Sequence, residues 1–235
     1  MDSIKNTFMS WSSGKDAALA LYKLQQSPEI RIQKLMTTIN SHYKRVSMHG
    51  LRETMLEQQL SALDLPLHKV ALPQQGGMKA YEDAMKAALH QLVSENITHG
   101  AFGDIFLEDL KAYRVRQLEN HKLQALFPLW KQDTRALVEE FIALGFEAIT
   151  VAVNGAVLDK SFVGQKVDKA FLARLPKGVD PCGENGEFHT FCYRGPIFKK
   201  HIPFHKGRTI GRSYPDPKGG APVPYWFCDL VPDSN

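Results

Sequence analysis

The chain has 235 residues, of which 43% are apolar and 23% charged, with a formal net charge of +4. That is long enough for one large domain or two small ones with a substantial core. It is too weakly basic to imply nucleic-acid binding, and no apolar run approaches the roughly 18–20 residues of a membrane span. The opening MDSIKN has no basic stretch leading into an apolar one, so no secretory leader is expected. The three cysteines, Cys182, Cys192 and Cys228, form no CxxC pair. A disulfide framework and a zinc ribbon are therefore not expected, and a reducing cytoplasm is the simplest setting.

In chain order, an apolar run at 8–11 reads as a strand that breaks into Ser12-Ser13-Gly14. A helix follows over 15–26 and stops before Ser27-Pro28. A strand over 32–39 ends on Thr37 and Thr38, and Leu51, Met55, Leu56, Leu60 and Leu63 set a helical stripe. Then come a strand at 68–72, a helix at 78–96, a strand at 98–105, helices at 108–126 and 133–144, and a last β-rich run at 147–153. Alternating strands and helices predict a parallel sheet with right-handed crossovers, whose ligands sit beyond the carboxyl ends of the strands. Beyond a helix at 166–175, proline and glycine punctuate short apolar segments around 188–193, 196–198 and 225–230. The expected class is α/β: a Rossmann-like parallel-sheet domain over 1–155 and a smaller, β-rich α+β domain over 156–235.

The stretch SSGKD, residues 12–16, calls for an anion. A strand-to-helix turn aims backbone N–H groups at one point, the helix dipole adds partial positive charge, and Lys15 adds a full one. GxxxxGK followed by Ser or Thr is absent, because Met9 stands where the first glycine belongs and Asp16 follows the lysine. A dinucleotide GxGxxG is absent too. Asp104, after Gly103, is placed to hold Mg²⁺ on a triphosphate, against the alternative of a simple Gly-Asp turn. Thr37 and Thr38 would flank adenine or ribose, or serve only as strand formers. His49, Gly50 and Arg52 follow the second strand, where Arg52 could contact a phosphate or carboxylate. In CGENGEFHT, residues 182–190, Asn185-Gly186 is a turn dipeptide, yet Glu184 and Glu187 flank it. A turn needs no paired carboxylates, whereas binding an amine, ammonium or Mg²⁺, or deprotonating an amine, does. His189 lies two beyond Glu187, and Cys182 reads as a buried structural thiol.

These motifs together resemble the diphthine–ammonia ligase family, which binds ATP on a pyrophosphate (PP) loop of HUP-type fold. Ser12-Ser13-Gly14-Lys15-Asp16-Ala17 takes the place of that family's S-G-G-K-D-S, in the form found in bacterial members. MHGLRETMLEQQLSALDLPLHKVALP, FGDIFLEDLKAYR, PLWKQDTRALVEEFIALGFEAITVAVN and DPCGENGEFHTFCYRGPIF carry the likeness over nearly the whole chain. Ser13 replaces a glycine and could still offer its N–H at negative φ, while Ala17 lacks a hydroxyl donor. The resemblance implies an ATP- and Mg²⁺-dependent carbon–nitrogen ligase that adenylates a small-molecule or protein-side-chain carboxylate and transfers ammonia or an amine. Ser12, Ser13, Gly14, Lys15, Asp16, Thr37, Thr38, Gly103 and Asp104 would bind ATP, with Asp16 and Asp104 as metal ligands. His49, Arg52, Gly183, Glu184, Asn185, Gly186, Glu187 and His189 would face the substrate, and Lys15, Asp16, Asp104, Glu184 and Glu187 would carry the chemistry. A homodimer is left open.

Two other readings stand beside it: an ATP-dependent RNA-modifying enzyme, and a nucleotide-binding module without turnover. Between Glu187 and Asp216 there is no acidic residue, while Arg194, Lys199, Lys200, Lys206, Arg208 and Arg212 all fall there. That run is either a face neutralised by acidic neighbours in space or a landing patch for RNA or an acidic partner. Because no aromatic run interleaves it, RNA is not expected.

Overall fold

The structure, a computed structural model, describes residues 4–46, 50–73, 77–215 and 219–233. Its first strand, β1 (Lys5–Ser10), runs into α1 (Lys15–Gln25), and β2 (Ile30–Asn40) and the two-residue β3 (Arg45–Val46) follow. Next come α2 (Glu53–Leu63), β4 (Leu67–Leu72), α3 (Gly77–Ser94), β5 (His99–Ala101), α4 (Glu108–Glu119), β6 (Gln124–Leu126) and α5 (Thr134–Ala143). The last third holds β7 (Glu147–Asn154), α6 (Lys169–Arg174), β8 (Phe188–Arg194), β9 (Phe204–Tyr214) and β10 (Val223–Pro232). No helix of the described residues is long and apolar enough to cross a membrane.

The expected α/β class holds. Parallel strands run β4-β2-β1-β5-β6, with β3 antiparallel beside the end of β2. Alternation along β1 splits its side chains between two cores, Phe8 to one and Met9 to the other. On one face Phe8, Met36 and Val70 pack against Met85, Leu89 and Leu92 of α3. On the other, α1, α2 and α5 share a single core with the second sheet. That second sheet is wholly antiparallel, in the order β8-β7-β10-β9.

Three expectations change. The helix foreseen over 108–126 ends at Glu119, and after a turn with Lys122 at φ 59° the chain forms β6. A three-residue strand is too short to show a period. The run at 147–153, expected with the alternating elements, pairs with β8 and β10 of the second sheet instead. Both its faces are buried, so no alternation marks where it belongs. Residues 196–198 form no strand, whereas β9 does, its residues so exposed that no apolar pattern announces it.

Candidate functional site

β1 and β5 end side by side while β2 runs on past Met36 to Asn40, and a cavity of 710 Å³ opens at this edge of the sheet. Ser12, Gly14, Lys15, Asp16, Thr37, Thr38, Gly103, Asp104, Gly183, Glu184, Asn185, Gly186 and His189, all singled out from sequence, line it. Two segments about eighty residues apart in the chain thus meet the loop after β1 across one cleft.

The loop is shaped by clamps that no local pattern announces. Gln59, fully buried on α2, accepts from Trp11 Nε1 at 2.7 Å and donates to the carbonyls of Ser13 (3.1 Å) and Cys192 (2.7 Å). Cys192 N also donates to Ser13 O at 2.9 Å, and Lys15 N donates to Thr190 Oγ1 at 3.0 Å. Strand β8 therefore holds the loop from behind while α2 holds it from the side. Under these restraints Ser13 sits at φ 72°, not at the negative φ expected of a serine there. This is the left-handed region that a glycine enters without strain. The α1 N-terminus at Gly14 has no side-chain cap, which leaves the turn available to an anion. Gly103 sits in tight quarters: a Cβ there would stand 3.0 Å from the Asp16 carbonyl carbon and 3.1 Å from Ala17 N, closer than most side chains are found.

Lys15 is only 2% exposed. Its ammonium donates to both Asp16 oxygens, at 2.7 and 2.8 Å, and to the Cys182 carbonyl, and lies 5.5 Å from the centre of the Phe188 ring. Burial opposes its charge, but Asp16 outweighs that and holds its pKa above the ordinary value. It contributes a fixed positive charge behind the loop rather than a mobile arm. Asp104 pairs with Arg114, whose guanidinium rests 4.5 Å over the Phe102 ring. Glu184 Oε1 accepts from Ile105 N (2.7 Å) and Phe106 N (3.4 Å), joining the 182–190 turn to the segment after Asp104. Burial, with Asp16 and Asp104 adding negative field, pushes the Glu184 carboxyl up to about 7. Burial and the Lys15 charge pull His189 down to about 4, so it is neutral near pH 7. Cys182, buried, donates to the Thr134 carbonyl and has its thiol pushed up by burial, as a structural thiol should.

The structure does not bring every expected residue to the cavity. Glu187 is buried and accepts from Asp180 N and Asn185 Nδ2, each at 3.0 Å, bracing the turn rather than lining the cleft. Arg52 pairs with Asp229 on β10 and, with Arg45, ties the first sheet to the second. His49 lies outside the described residues. Sequence reasoning did not single out Gln59, Thr190 or Arg114. All three lie in stretches that carried the family likeness: Gln59 in MHGLRETMLEQQLSALDLPLHKVALP, Arg114 at the end of FGDIFLEDLKAYR and Thr190 at the end of CGENGEFHT.

The family profile of the diphthamide synthase N-terminal domain matches residues 5–117, and that of the C-terminal domain matches residues 133–213. The chain belongs to this family. Its relatives include diphthine–ammonia ligases of Bos taurus (33% identical over 125 residues) and Homo sapiens (34% over 125 residues). In both cases the match covers 51% of this chain and 45% of the relative. The Danio rerio diphthine–ammonia ligase is 36% identical over 113 residues, 46% of this chain and 44% of the relative. The chain thus spans less than half the length of these curated relatives. Within the diphthamide synthase architecture, the N-terminal profile covers the loop, Thr37, Thr38 and Asp104, and the C-terminal profile covers Glu184 and His189. The cleft is therefore formed where the two matched regions face each other.

Proposed function

We propose that the chain is an ATP-dependent carbon–nitrogen ligase. A carboxylate oxygen on a small molecule or protein side chain attacks the α-phosphorus of ATP, and the bond to pyrophosphate breaks. Ammonia or an amine then attacks the acyl carbon, the bond to AMP breaks, and the nitrogen gives up a proton. The observation that carries this reading is one cavity with two complementary walls. A helix N-terminus whose cap residue, Gly14, has no side chain lies on one side, and a carboxyl poised near 7 and a neutral imidazole line the other.

On this reading Ser12, Ser13 and Gly14 cradle the phosphates with Lys15 as buried counter-charge, and Thr37 and Thr38 flank the base or ribose. Glu184 takes the proton from the attacking nitrogen, since a group with a pKa near the working pH both holds and releases protons readily. His189 hydrogen-bonds the substrate without adding charge. Burial chiefly raises Glu184, and the carboxylates of Asp16 and Asp104 add to it a negative field that suits a cation. Those two residues would hold Mg²⁺, which when bound supplies charge neutralisation on the triphosphate. Asp104 would share its charge with Arg114. Three free, buried cysteines accord with a cytoplasmic setting.

The test separates binding from chemistry. Lys15→Ala should weaken ATP binding in calorimetry, while Lys79→Ala, on the exposed surface, should not. Glu184→Gln should keep ATP affinity and slow AMP release under single-turnover conditions by roughly 10²–10⁴-fold, the contribution of a positioned general base. Near-normal turnover in Glu184→Gln, or equal ATP affinities in the two lysine variants, would refute the assignment.

A further inference from the structure

The basic run between Glu187 and Asp216 divides in space. Arg194 meets Glu147 at 3.5 Å, Lys199 meets Asp64, and Lys206 donates to the Gly164 carbonyl at 3.3 Å. Lys200 is exposed and lies outside the strands, and Arg208 and Arg212 remain, with no carboxylate of the described residues bonded to either. Both stand on β9, the outermost strand of the second sheet, where every residue from 205 to 214 is exposed. Among the described strands β9 pairs with β10 alone, so its outer edge presents a row of backbone donors and acceptors.

Pairing also brings aromatic residues of β10 beside these arginines. Tyr225 lies opposite Arg212 and Phe227 opposite Ile210, and the rings of Tyr214, Tyr225 and Phe227 gather with centroids 5.7–6.2 Å apart. Ile210 is 43% and Tyr214 42% exposed. One face of β9 therefore reads Arg208, Ile210, Arg212, Tyr214: cation, apolar, cation, aromatic, at the two-residue period an added strand would meet from the bulge at 207–208 onward.

We propose that β9 is a docking edge for an extended acidic segment of a partner protein. The segment adds to the sheet, with carboxylates opposite Arg208 and Arg212 and apolar side chains beside Ile210 and Tyr214. Charge argues against a second copy of this chain. Twofold antiparallel pairing centred on Ile210 sets Arg208 against Arg212, and pairing centred on Thr209 sets Lys206 against Arg212; like charges directly opposite destabilise a ladder. Ring geometry argues against single-stranded RNA, which needs successive open rings. Tyr225 and Phe227 stack on each other at 28° and are half-buried, and Gly50 lies against Phe227. The face ends beside the cleft, because Val46, bonded to Gly50 and Leu51, lines the cavity. The inference goes beyond the ligase reading and does not depend on it.

The test is fluorescence anisotropy with the full chain and labelled peptides of the length of β9. A peptide alternating Glu and Val should bind, and ones alternating Lys with Val or Glu with Pro should bind at least about tenfold more weakly. Arg208→Glu combined with Arg212→Glu should weaken the Glu-Val peptide by about tenfold or more, as two cross-strand ion pairs would. Its circular dichroism and melting temperature should match the unsubstituted chain. No binding of the Glu-Val peptide, equal binding of the Glu-Pro peptide, or indifference to charge reversal would overturn the proposal. So would tighter binding of a short oligouridylate through the same arginines, or a dimer in sedimentation that charge reversal abolishes.

Discussion

Replacing Gln59 by leucine tests whether the candidate phosphate loop is shaped by its clamps or by its own sequence. Gln59 is fully buried, is absent from the cavity lining, and uses both ends of its amide. In Gln59→Leu, Trp11 Nε1 loses its acceptor and the Cys192 carbonyl loses a donor, while Ser13 O keeps the bond from Cys192 N. Leaving a buried polar group unpaired costs about 1–3 kcal/mol, so two such groups predict a loss of about 2–4 kcal/mol after partial relaxation. For a chain of this size that corresponds to a fall in melting temperature of roughly 5–15 °C. ATP affinity should fall as well, since the Ser13 carbonyl is then held from one side only. Gln58→Leu is the matched control: Gln58 Oε1 has no partner to lose among the described residues, and a change within about 0.5 kcal/mol is expected. Calorimetry of unfolding and ATP titration of both variants decide the matter. If Gln59→Leu melts with Gln58→Leu and binds ATP as the unsubstituted chain does, the clamp does not shape the loop.

Ser13→Gly removes a left-handed serine with an unpartnered buried hydroxyl and should raise stability by about 1 kcal/mol, read as a rise in denaturation midpoint with ATP affinity kept. Glu184 gives a pH signature. Its folded carboxyl titrates near 7 against an ordinary 4.5, so the native state retains a proton that the unfolded chain releases. Stability from this group is complete below about pH 4.5 and is lost as pH rises through 7. Glu184→Gln should therefore gain on the parent across that window, by about 1–2 kcal/mol after allowance for solvent screening, and denaturant melts from pH 4 to 8 would show it. A flat difference across the window would contradict the placement of Glu184.

What was legible in the sequence was what short-range physics encodes. The strand, turn and helix around Ser12–Asp16, the stripe of α2, the strand that carries Thr37 and Thr38, and the turn after β5 at Gly103 all follow from periods and turn residues within about a dozen positions. These elements meet at one cavity in the structure. What was not legible depends on partners remote in the chain. Arg52 reads as a cleft residue until Asp229 on β10 takes its guanidinium. Glu187 reads as half of a catalytic pair until the Asp180 amide and Asn185 turn it inward. Ser13 at φ 72° would be a poor choice for a free turn, and its conformation makes sense only with Gln59 and Cys192 holding its carbonyl. The strand β9 escaped because exposure on both faces erases the alternation by which strands are recognised.

The same clamps bear on a division of the chain at 155. A fragment of residues 1–155 keeps the first sheet and the whole SSGKD loop, so by motif alone it should bind ATP. By structure it should not. It lacks Thr190, which accepts from Lys15 N, and Cys192, whose amide supplies one of the two bonds to the Ser13 carbonyl and whose carbonyl anchors Gln59, the source of the other. It also lacks the Cys182 carbonyl that takes the third bond of the buried Lys15 ammonium. Stripped of these, a left-handed Ser13 is held by Gln59 alone, against a conformation that costs a non-glycine residue roughly 1–2 kcal/mol. The fragment also carries β7 without β8 and β10, exposing Ala148–Val153, buried on both faces in the whole chain. The expected outcome is a fragment that associates in sedimentation and shows no ATP heat, with binding restored when residues 156–235 are co-expressed. ATP bound by isolated 1–155 with the affinity of the full chain would show that the loop organises itself, and that β8 is only its neighbour.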